Sequence, residues 1–489
     1  MVNSAAKKLE KELIEIVEVP KDDINWSSVT LSDILTRDKR LEASTFNIDR
    51  DHALQLLNNS KYEVITLGTD NIGFNDCYYG PRAKRNYLRD IDSTSIGFLG
   101  SSEMLDIYPK PIKYVSPDNP MVKQLSLSEE IILISRSGTI GNVTFVNKSL
   151  AKYLVSEHAI RLVIDKFPGY VYAYLKTDIA QNLLHAEKFG SVILEIEPEA
   201  LKNMPIPSPP DMIKKKIHDL ILQSYAKRDE SNKLIDEATK IMIDELELPP
   251  IEELKKEAFS YSKNINSFST KLSDLNGRLE GNYHIPLIDV IEKHMSKHAN
   301  LKCLEDKALV KDIILPGRFT RIYVAKEHGV PFIGGKDLFQ LKSETGKYLS
   351  KKAHKNRLEK ELLIKENSII LPSRGTLGSV MMAMPHQIGK CAISDNLIQM
   401  QCEKDYVGYI YIFLNSIYGE KLIYRQKYGG VVNAIEPIQL KKVSVPFLKD
   451  IKKIELINNI AFKANELRYK AYKQEQEAIN IMNKEVLGL

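Results

Sequence analysis

Two pairs of loop motifs carry basic and small polar side chains that could contact a polyanion. One pair is Gly80-Pro81-Arg82-Ala83-Lys84-Arg85 and Pro316-Gly317-Arg318-Phe319-Thr320-Arg321. The other is Ser135-Arg136-Ser137-Gly138-Thr139 and Ser373-Arg374-Gly375-Thr376. Arginine grips phosphate and reads guanine edges through two hydrogen bonds, and hydroxyls and glycine amides suit phosphate contact. Each arginine could instead pair with a carboxylate in an ordinary exposed turn, but two sets together favour DNA contact.

The residues predicted to contact DNA are the basic and hydroxyl side chains of these loops, together with one lysine from a glycine-rich turn. They are Arg82, Lys84, Arg85, Ser135, Arg136, Ser137, Thr139, Arg318, Arg321, Lys336, Ser373, Arg374 and Thr376.

The sequence lacks the motifs of methyltransferases, nucleotide hydrolases and metalloenzymes. An adenine methyltransferase needs an Asn- or Asp-Pro-Pro-aromatic turn, and Ser208-Pro209-Pro210-Asp211 lacks the aromatic ring. The glycine patterns at Phe98 and Phe332 lack the final glycine of an S-adenosylmethionine loop, and no Gly-x-x-x-x-Gly-Lys-Ser/Thr phosphate loop occurs. His294 and His298 have no third metal ligand at a matching distance. We expect no catalytic residue, metal or cofactor in this chain, although a site assembled between two parts of the fold stays open.

Length and composition limit the class of protein. The chain has 489 residues, 43% hydrophobic and 27% charged, with 69 basic and 64 acidic side chains and a net charge of +5. This is ordinary globular usage for two or more domains, and it permits a nucleic-acid partner without demanding one. The four cysteines lie far apart and no run is long and apolar enough to span a membrane. We therefore predict a protein of the reducing cytoplasm with no membrane partner.

The chain contains an internal duplication. Arg82, Arg85 and Tyr87 recur as Arg318, Arg321 and Tyr323, and further matches follow in the same order at an offset of about 234–239 residues. These further matches are Arg40-Leu41-Glu42 with Arg278-Leu279-Glu280, Phe98-Leu99-Gly100 with Phe332-Ile333-Gly334, Gly138-Thr139-Ile140-Gly141 with Gly375-Thr376-Leu377-Gly378, and Glu197-Pro198 with Glu436-Pro437. Chance similarity would not keep this order.

Each copy has a mixed front and a helical back. Short apolar runs such as Glu130–Ile134 and Ser368–Leu371 predict strands, and the stretches Tyr170–Glu187 and Tyr406–Tyr424 predict helices. The fold class is thus α/β (α+β), with two tandem units built on mixed or mostly antiparallel sheets. A doubly wound fold would need regular alternation of strands and helices, which is missing.

The helical part of each copy is a run free of Pro and Gly. The two runs extend from Asp211 to Leu248 and from Asp450 to Leu487, and each begins with an Asp suited to a helix N-cap. Their apolar residues recur at three- and four-residue steps, so the two helices are expected to pair with each other. The alternative is two separate surface helices. The N-terminal run around Glu12–Pro20 resembles the end of the first long helix, which favours an antiparallel coiled coil with approximate twofold symmetry.

We divide the chain accordingly into an N-terminal helix (1–20), a first mixed unit (21–207), a long helix and linker (208–258), a second mixed unit (259–446) and a second long helix (447–489).

These features together resemble the specificity subunit of type I restriction–modification systems over nearly the whole chain. The resemblance lies in Ile132 to Gly141, similar to the family's apolar strand followed by Ser/Arg-Gly-Thr-x-Gly, and in Glu195 to Pro207, similar to the stretch that leads into the family's long helix. Ala434 to Pro446 repeats the second feature. The family resemblance implies that the mixed units are target recognition domains, each reading half of a bipartite DNA sequence, with the coiled coil setting their distance.

The resemblance also implies the partners. Members of the family bind double-stranded DNA and recruit two adenine-methyltransferase (modification) subunits, which bind S-adenosylmethionine, and restriction subunits, which use ATP and Mg²⁺. Because the loops of the two copies differ, we predict a non-palindromic target. The alternatives are a specificity subunit of a type II (IIB-like) system and a coiled-coil adaptor that ignores DNA.

Overall fold

The computed structural model describes residues 29–36, 46–82, 84–88, 91–190, 194–259, 268–275, 277–342, 345–375 and 377–489. The predicted N-terminal helix (1–20) and the Arg40-Leu41-Glu42 copy of the repeat lie outside these residues. The first described element is helix α1, Leu31–Thr36.

The first lobe is a mixed unit of short strands and helices between residues 46 and 207. Its helices are α2 (Ile48–Asn58), α3 (Met121–Leu125), α4 (Pro168–Leu175), α5 (Asp178–Ala186) and α6 (Pro198–Lys202). Its strands are β1 (Val64–Thr66), β2 (Phe74–Tyr79), β3 (Ile96–Leu99), β4 (Lys113–Val115), β5 (Ile132–Ser135), β6 (Val143–Phe145), β7 (Leu154–Val155), β8 (Ala159–Ile164) and β9 (Pro205–Pro207).

Three sheets form in this lobe. The central one has the order β2-β8-β5-β6 and is antiparallel throughout. The second has the order β4-β3-β7, in which β3 and β7 are parallel, and β1 pairs with β9 at the edge of the lobe. Strand β5 is buried throughout, as a short apolar run predicts for the middle of a sheet, whereas β8 also buries the charged side chain of Arg161.

The first long helix, α7, covers Asp211–Glu245 and is followed by α8, Ile251–Ala258. With 35 residues, α7 is about 52 Å long. Its N-cap is Pro210 with no side-chain cap, so the prediction that Asp211 caps this helix was wrong by one residue. Asp211 instead lies in the first turn, where its carboxylate is 3.3 Å from Lys214 Nζ.

The second lobe follows between residues 281 and 448. Its helices are α9 (Pro286–His298), α10 (Lys355–Arg357), α11 (Lys404–Asn415), α12 (Ile417–Arg425) and α13 (Pro437–Leu440). Its strands are β10 (Ala299–Cys303), β11 (Val310–Ile314), β12 (Gly329–Ile333), β13 (Tyr348–Ser350), β14 (Ser368–Pro372), β15 (Met381–Met382), β16 (Ala392–Ile393), β17 (Leu397–Cys402) and β18 (Ser444–Leu448).

The second lobe repeats the topology of the first. Its sheets have the orders β11-β17-β14-β15, β13-β12-β16 and β10-β18, which are the counterparts of the three sheets of the first lobe. The parallel pair recurs as well, because β12 and β16 run parallel like β3 and β7. The predicted helical stretches each break into two helices, at Thr177 and at Ser416, whose side-chain oxygens accept from Ala180 N and Gly419 N.

The second long helix, α14, covers Ile451–Ile481 and continues as a wider π-type turn through Met482–Leu487. Asp450 caps it, accepting a hydrogen bond from the amide of Lys452 at 2.9 Å, as predicted. Helices α7 and α14 pack along their length in opposite directions: Lys216 pairs with Glu485 at one end, and Glu245 with Lys453 at the other. The predicted antiparallel coiled coil, called the coil below, is thus present.

The two lobes cover opposite ends of the coil. The core of the first lobe includes Ile217 and Ile221 from the start of α7 and Ile481 and Met482 from the end of α14. The core of the second lobe includes the other ends of both helices, through Ile235, Ala238, Met242, Ile454, Ile457 and Ala461. Each lobe therefore buries apolar side chains of both helices, which fixes it to the coil.

The lobes also touch near the middle of the coil through the turn before β4. The amide of Ile107 donates to the carbonyl of Phe339 at 2.9 Å, and Lys110 Nζ donates to the carbonyl of Asn415 at 2.6 Å. The side chain of Ile107 is buried in a cluster that otherwise belongs to the second lobe and the coil. On the coil, Asn232 donates to the carbonyl of Ile107 at 2.8 Å. These contacts join the two lobes directly to each other as well as to the coil.

Candidate nucleic-acid interface

The predicted loops of each lobe converge at one end of its central sheet. In the first lobe, the turn after β5 is held by backbone hydrogen bonds from Arg136 N to His158 O and from Ile196 N to Arg136 O. In the second lobe, Ser373 N donates to Asn396 O and Ile435 N donates to Ser373 O. Three chain segments therefore meet in each lobe, and the arginine-rich loop joins them through a salt bridge.

That salt bridge is the same in both lobes. Arg85 pairs with Glu157 and lies over the ring of Phe98 at 5.1 Å, while Arg321 pairs with Asp395 and lies over the ring of Phe332 at 5.3 Å. Burial opposes the ionisation of Glu157, but the hydrogen bond and positive charge of Arg85, a backbone hydrogen bond and the nearby His158 together hold the pKa of that carboxyl below its usual value. Arg85 and Arg321 therefore orient their loops, and their guanidinium groups are already engaged.

Arg136 is buried rather than presented to solvent. Its side chain is 6% exposed, and one guanidinium nitrogen lies 2.9 Å from a carboxylate oxygen of Glu195 and 2.5 Å from one of Glu197. The guanidinium group also lies 4.1 Å from the ring centre of Tyr79. Three neighbours thus neutralise and cover the arginine that the sequence marked as a DNA contact.

The two Ser/Arg-Gly-Thr motifs are offset by one residue in the structure. The backbone contacts that Arg136 makes with His158 and Ile196 are made in the second lobe by Ser373, with Asn396 and Ile435. Ser137 pairs with Glu195 in a β-bridge, and the equivalent bridge joins Arg374 to Ala434. Because successive side chains of an extended segment point to opposite faces, this shift turns Arg136 inward and Arg374 outward.

Buried hydroxyls support these turns. Ser135 Oγ donates to the carbonyl of Thr139 and accepts from the amide of Asn142, and Ser137 Oγ lies 2.7 Å from His158 Nδ1. Ser373 is 1% exposed. The DNA contacts predicted for Ser135, Arg136, Ser137 and Ser373 stay predictions, and they would require the turns to open. Gly138 and Gly375 follow at φ +78° and +83°, a left-handed conformation that favours glycine.

The remaining predicted residues divide into exposed ones and one that is not described. Thr376 lies outside the residues that the structure describes. The side chain of Arg82 is 71% exposed and lies 3.6 Å from Glu195. The other exposed members of the predicted set are Lys84, Thr139, Arg318, Lys336 and Arg374.

Sequence reasoning missed Glu195. This carboxylate contacts both Arg136 and Arg82, and its counterpart in the second lobe is Ala434. The signal was present in the repeat, where Glu195-Ile196-Glu197-Pro198 aligns with Ala434-Ile435-Glu436-Pro437. The two interfaces thus differ in charge at equivalent positions.

Other kinds of site find little support in the described residues. His294 lies 2.8 Å from Glu257, and no group of three or more metal-binding side chains occurs in the described part of the chain. Among the described helices, none combines the length and apolar character that crossing a bilayer requires.

Comparisons with known proteins point to one family. Residues 23–240 match the family model of the type I restriction modification DNA specificity domain. No curated protein gave a significant match.

Solved structures from such systems are also similar. The S subunit of the type I restriction–modification system of M. genitalium is 14% identical, with a TM-score of 0.32 over 88% of this chain and 96% of that one. The HsdS subunit of Thermoanaerobacter tengcongensis is 15% identical, with a TM-score of 0.26 over 87% and 97%. A structure describing complex assembly and conformational transition of the type I R-M system is 14% identical, with a TM-score of 0.26 over 86% and 97%.

The family match falls on the first lobe and most of helix α7, which are the parts of the chain that carried the resemblance in the first copy. The predicted resemblance to type I specificity subunits is therefore confirmed over residues 23–240, which match the model of the type I restriction modification DNA specificity domain.

Proposed function

We propose that the whole chain is the DNA specificity subunit of a type I restriction–modification complex, and that it reads a bipartite, non-palindromic site. In this proposal, the segments 21–207 and 259–446 are the two target recognition domains, and 208–258 and 447–489 form the spacer between them. Each lobe would read one part of the site, and the coil would set the distance between the two parts.

The observation that carries this proposal is the duplicated topology at the two ends of an antiparallel coil. Both lobes have the same three sheet orders, and each packs on both helices. One lobe alone would read few base pairs, and a mismatched base pair changes the binding free energy by only about 1–3 kcal/mol. Once one lobe is bound, a rigid spacer makes the second contact intramolecular, so the discrimination of the two lobes multiplies.

Contact between the lobes supports a fixed spacing. The hydrogen bonds from Ile107 to Phe339 and from Lys110 to Asn415 tie the first lobe to the second across the coil. Burial of Lys110 lowers the pKa of its ammonium group to about 8, as expected for a cation inside an interface. Rotation of either lobe about the coil would break these contacts.

The chemistry would reside on partner subunits. We propose that two adenine-methyltransferase subunits, with S-adenosylmethionine, and restriction subunits, with ATP and Mg²⁺, assemble on this cytoplasmic chain, which itself only recognises DNA. The sequence has neither an intact methyltransferase motif nor a phosphate-binding loop, which supports this division of labour. The differing charges at Glu195 and Ala434 support two different half-sites and hence a target without palindromic symmetry.

Selection of bound duplexes from a random pool, with the chain and its modification subunits, tests the proposal. We expect two short defined segments separated by an undefined spacer of constant length, with different sequences in the two segments. A single continuous motif, or an inverted repeat, would overturn the bipartite reading. Failure to retain duplex DNA at low salt would instead favour a coiled-coil adaptor.

A further inference from the structure

The two candidate interfaces differ in electrostatics at one pair of equivalent positions. Glu195 closes the turn beside Ser137, and Ala434 closes the equivalent turn beside Arg374. The neighbouring residues match, since Ile196 and Ile435 donate equivalent backbone hydrogen bonds. A carboxylate in the first lobe is thus replaced by a methyl group in the second, within otherwise similar backbone geometry.

In the first lobe, this carboxylate holds two arginines. Glu195 lies 2.9 Å from Arg136 and 3.6 Å from Arg82, and Glu197 lies 2.5 Å from Arg136. Two guanidinium groups therefore face two carboxylates. Arg136 is buried among them. Arg82 is mostly exposed, but the nearby carboxylate of Glu195 partly neutralises its charge. Near this turn, little net positive charge remains to attract phosphate.

In the second lobe, two arginines near the corresponding turn are exposed to solvent. Arg374 is exposed beside Ala434, and Arg318, the repeat counterpart of Arg82, is exposed as well. Within the described ranges, neither of them forms a salt bridge. Glu436, the counterpart of Glu197, accepts a hydrogen bond from the hydroxyl of Tyr428 at 2.6 Å. The second lobe thus presents two unneutralised guanidinium groups.

We propose that Glu195 makes the two lobes bind DNA by different means. The second lobe anchors the duplex through phosphate contacts of Arg318 and Arg374. In the first lobe, Glu195 neutralises Arg82, the counterpart of Arg318, and Ser137 stands in place of Arg374, so the contact there depends on base edges. This inference rests on the proposed DNA-recognition function. Its physical basis is counterion release, since each phosphate neutralised by a basic side chain adds about 0.9 to the slope of log K against log salt.

Three variants of the full chain test this inference: Glu195→Gln, Ala434→Glu and the size-matched control Ala434→Gln. The assay is the affinity for a random-sequence duplex over a range of salt concentrations, because phosphate binding needs no specific site. Glu195→Gln releases Arg82 and should steepen the slope by about one contact, worth about a 3.5-fold change in affinity between 50 and 200 mM salt. Ala434→Glu places a carboxylate beside Arg374, which pairs with residue 434 across the β-bridge, and should make the slope shallower by the same amount.

The outcomes separate this inference from the proposed function. If the unaltered chain shows no salt-dependent binding, DNA recognition itself fails. If it binds, but Glu195→Gln and Ala434→Glu keep its slope, the division between the lobes is wrong. If Ala434→Gln shifts the slope as much as Ala434→Glu, the effect is due to size rather than charge, which also contradicts the inference. Should Glu195→Gln fail to fold, the two Ala434 variants decide alone, since they alter no hydrogen-bonding side chain.

Discussion

Removal of the Glu475 carboxylate should destabilise the junction between the first lobe and the coil. Glu475 lies on helix α14, and its carboxylate is 2.5 Å from Arg228 of helix α7. It also accepts a hydrogen bond from the hydroxyl of Tyr172 on α4, and Lys176 Nζ lies 3.9 Å away. One buried carboxylate thus joins both coil helices and the first lobe.

The expected magnitude follows from burial. The side chains of Arg228 and Glu475 are 10% and 4% exposed, so Glu475→Ala leaves a charged guanidinium group buried without its carboxylate. Breaking such a pair by removing one partner destabilises a protein by about 3–5 kcal/mol. The matched control is Glu485→Ala in the π-type turn that continues α14, which breaks a half-exposed pair with Lys216 and should cost at most about 1 kcal/mol.

Urea unfolding gives the two free-energy changes, and amide hydrogen exchange in α4 gives the local effect at the junction. Replacing both partners, as in Arg228→Met with Glu475→Leu, should recover most of the lost stability because no buried charge remains. The reasoning is refuted if Glu475→Ala costs no more than Glu485→Ala, or if the double replacement is worse than the single one.

The pair of Arg228 and Glu475 should also affect how the free energy of unfolding depends on pH. Burial alone would raise the pKa of Glu475, but Arg228, Lys176 and the Tyr172 hydroxyl together hold it below its usual value. The stability from this carboxylate is therefore present above its unfolded-state pKa and is lost as the pH falls through the lower folded-state pKa. A Glu475→Gln variant should lose less stability on acidification than the unaltered chain does.

Two further predictions concern the lobes. Burial, with a smaller contribution from Glu103, raises the pKa of Asp106 to about 8 at the contact between the lobes, so stability should fall as the pH rises from about 4 towards 8, and Asp106→Asn should flatten this part of the curve of melting temperature against pH. Gly378→Ala should destabilise the second lobe more than Gly375→Ala in thermal unfolding: both residues have positive φ, but a methyl group at Gly378 would lie 2.6 Å from Glu420 Cγ, whereas nothing lies within 4 Å at Gly375. Equal losses for the two glycine variants would show that backbone strain alone decides the outcome.

Much of the fold could be predicted because periodic patterns encode it. The apolar steps along α7 and α14 predicted the coil, and the ordered repeat predicted two similar lobes. What the pattern could not give was the pairing of polar groups inside the coil. Arg228 and Glu475 are 247 residues apart in sequence, so their contact depends on the register of two helices rather than on any local signal.

The candidate interface was only partly predictable for a similar reason. Arg136 and Arg374 stand in similar motifs, yet one is buried and the other exposed, because the motifs are shifted by one residue along their strands. Composition identifies the arginines, but a one-residue shift decides which face they occupy. Glu195 was overlooked because its contacts with Arg82 and Arg136 form only in the folded chain, and a single carboxylate in the sequence does not predict them.

Independent reading by the two lobes is the central claim, and paired variants in a duplex selection test it most directly. Lys84→Ala alters the first lobe and Lys336→Ala the second, and both side chains are exposed. We predict that each variant changes the base preference in one segment of the selected site and leaves the other segment and the spacer length unchanged. A variant that changes both segments equally, or one that changes the spacer, would contradict the account.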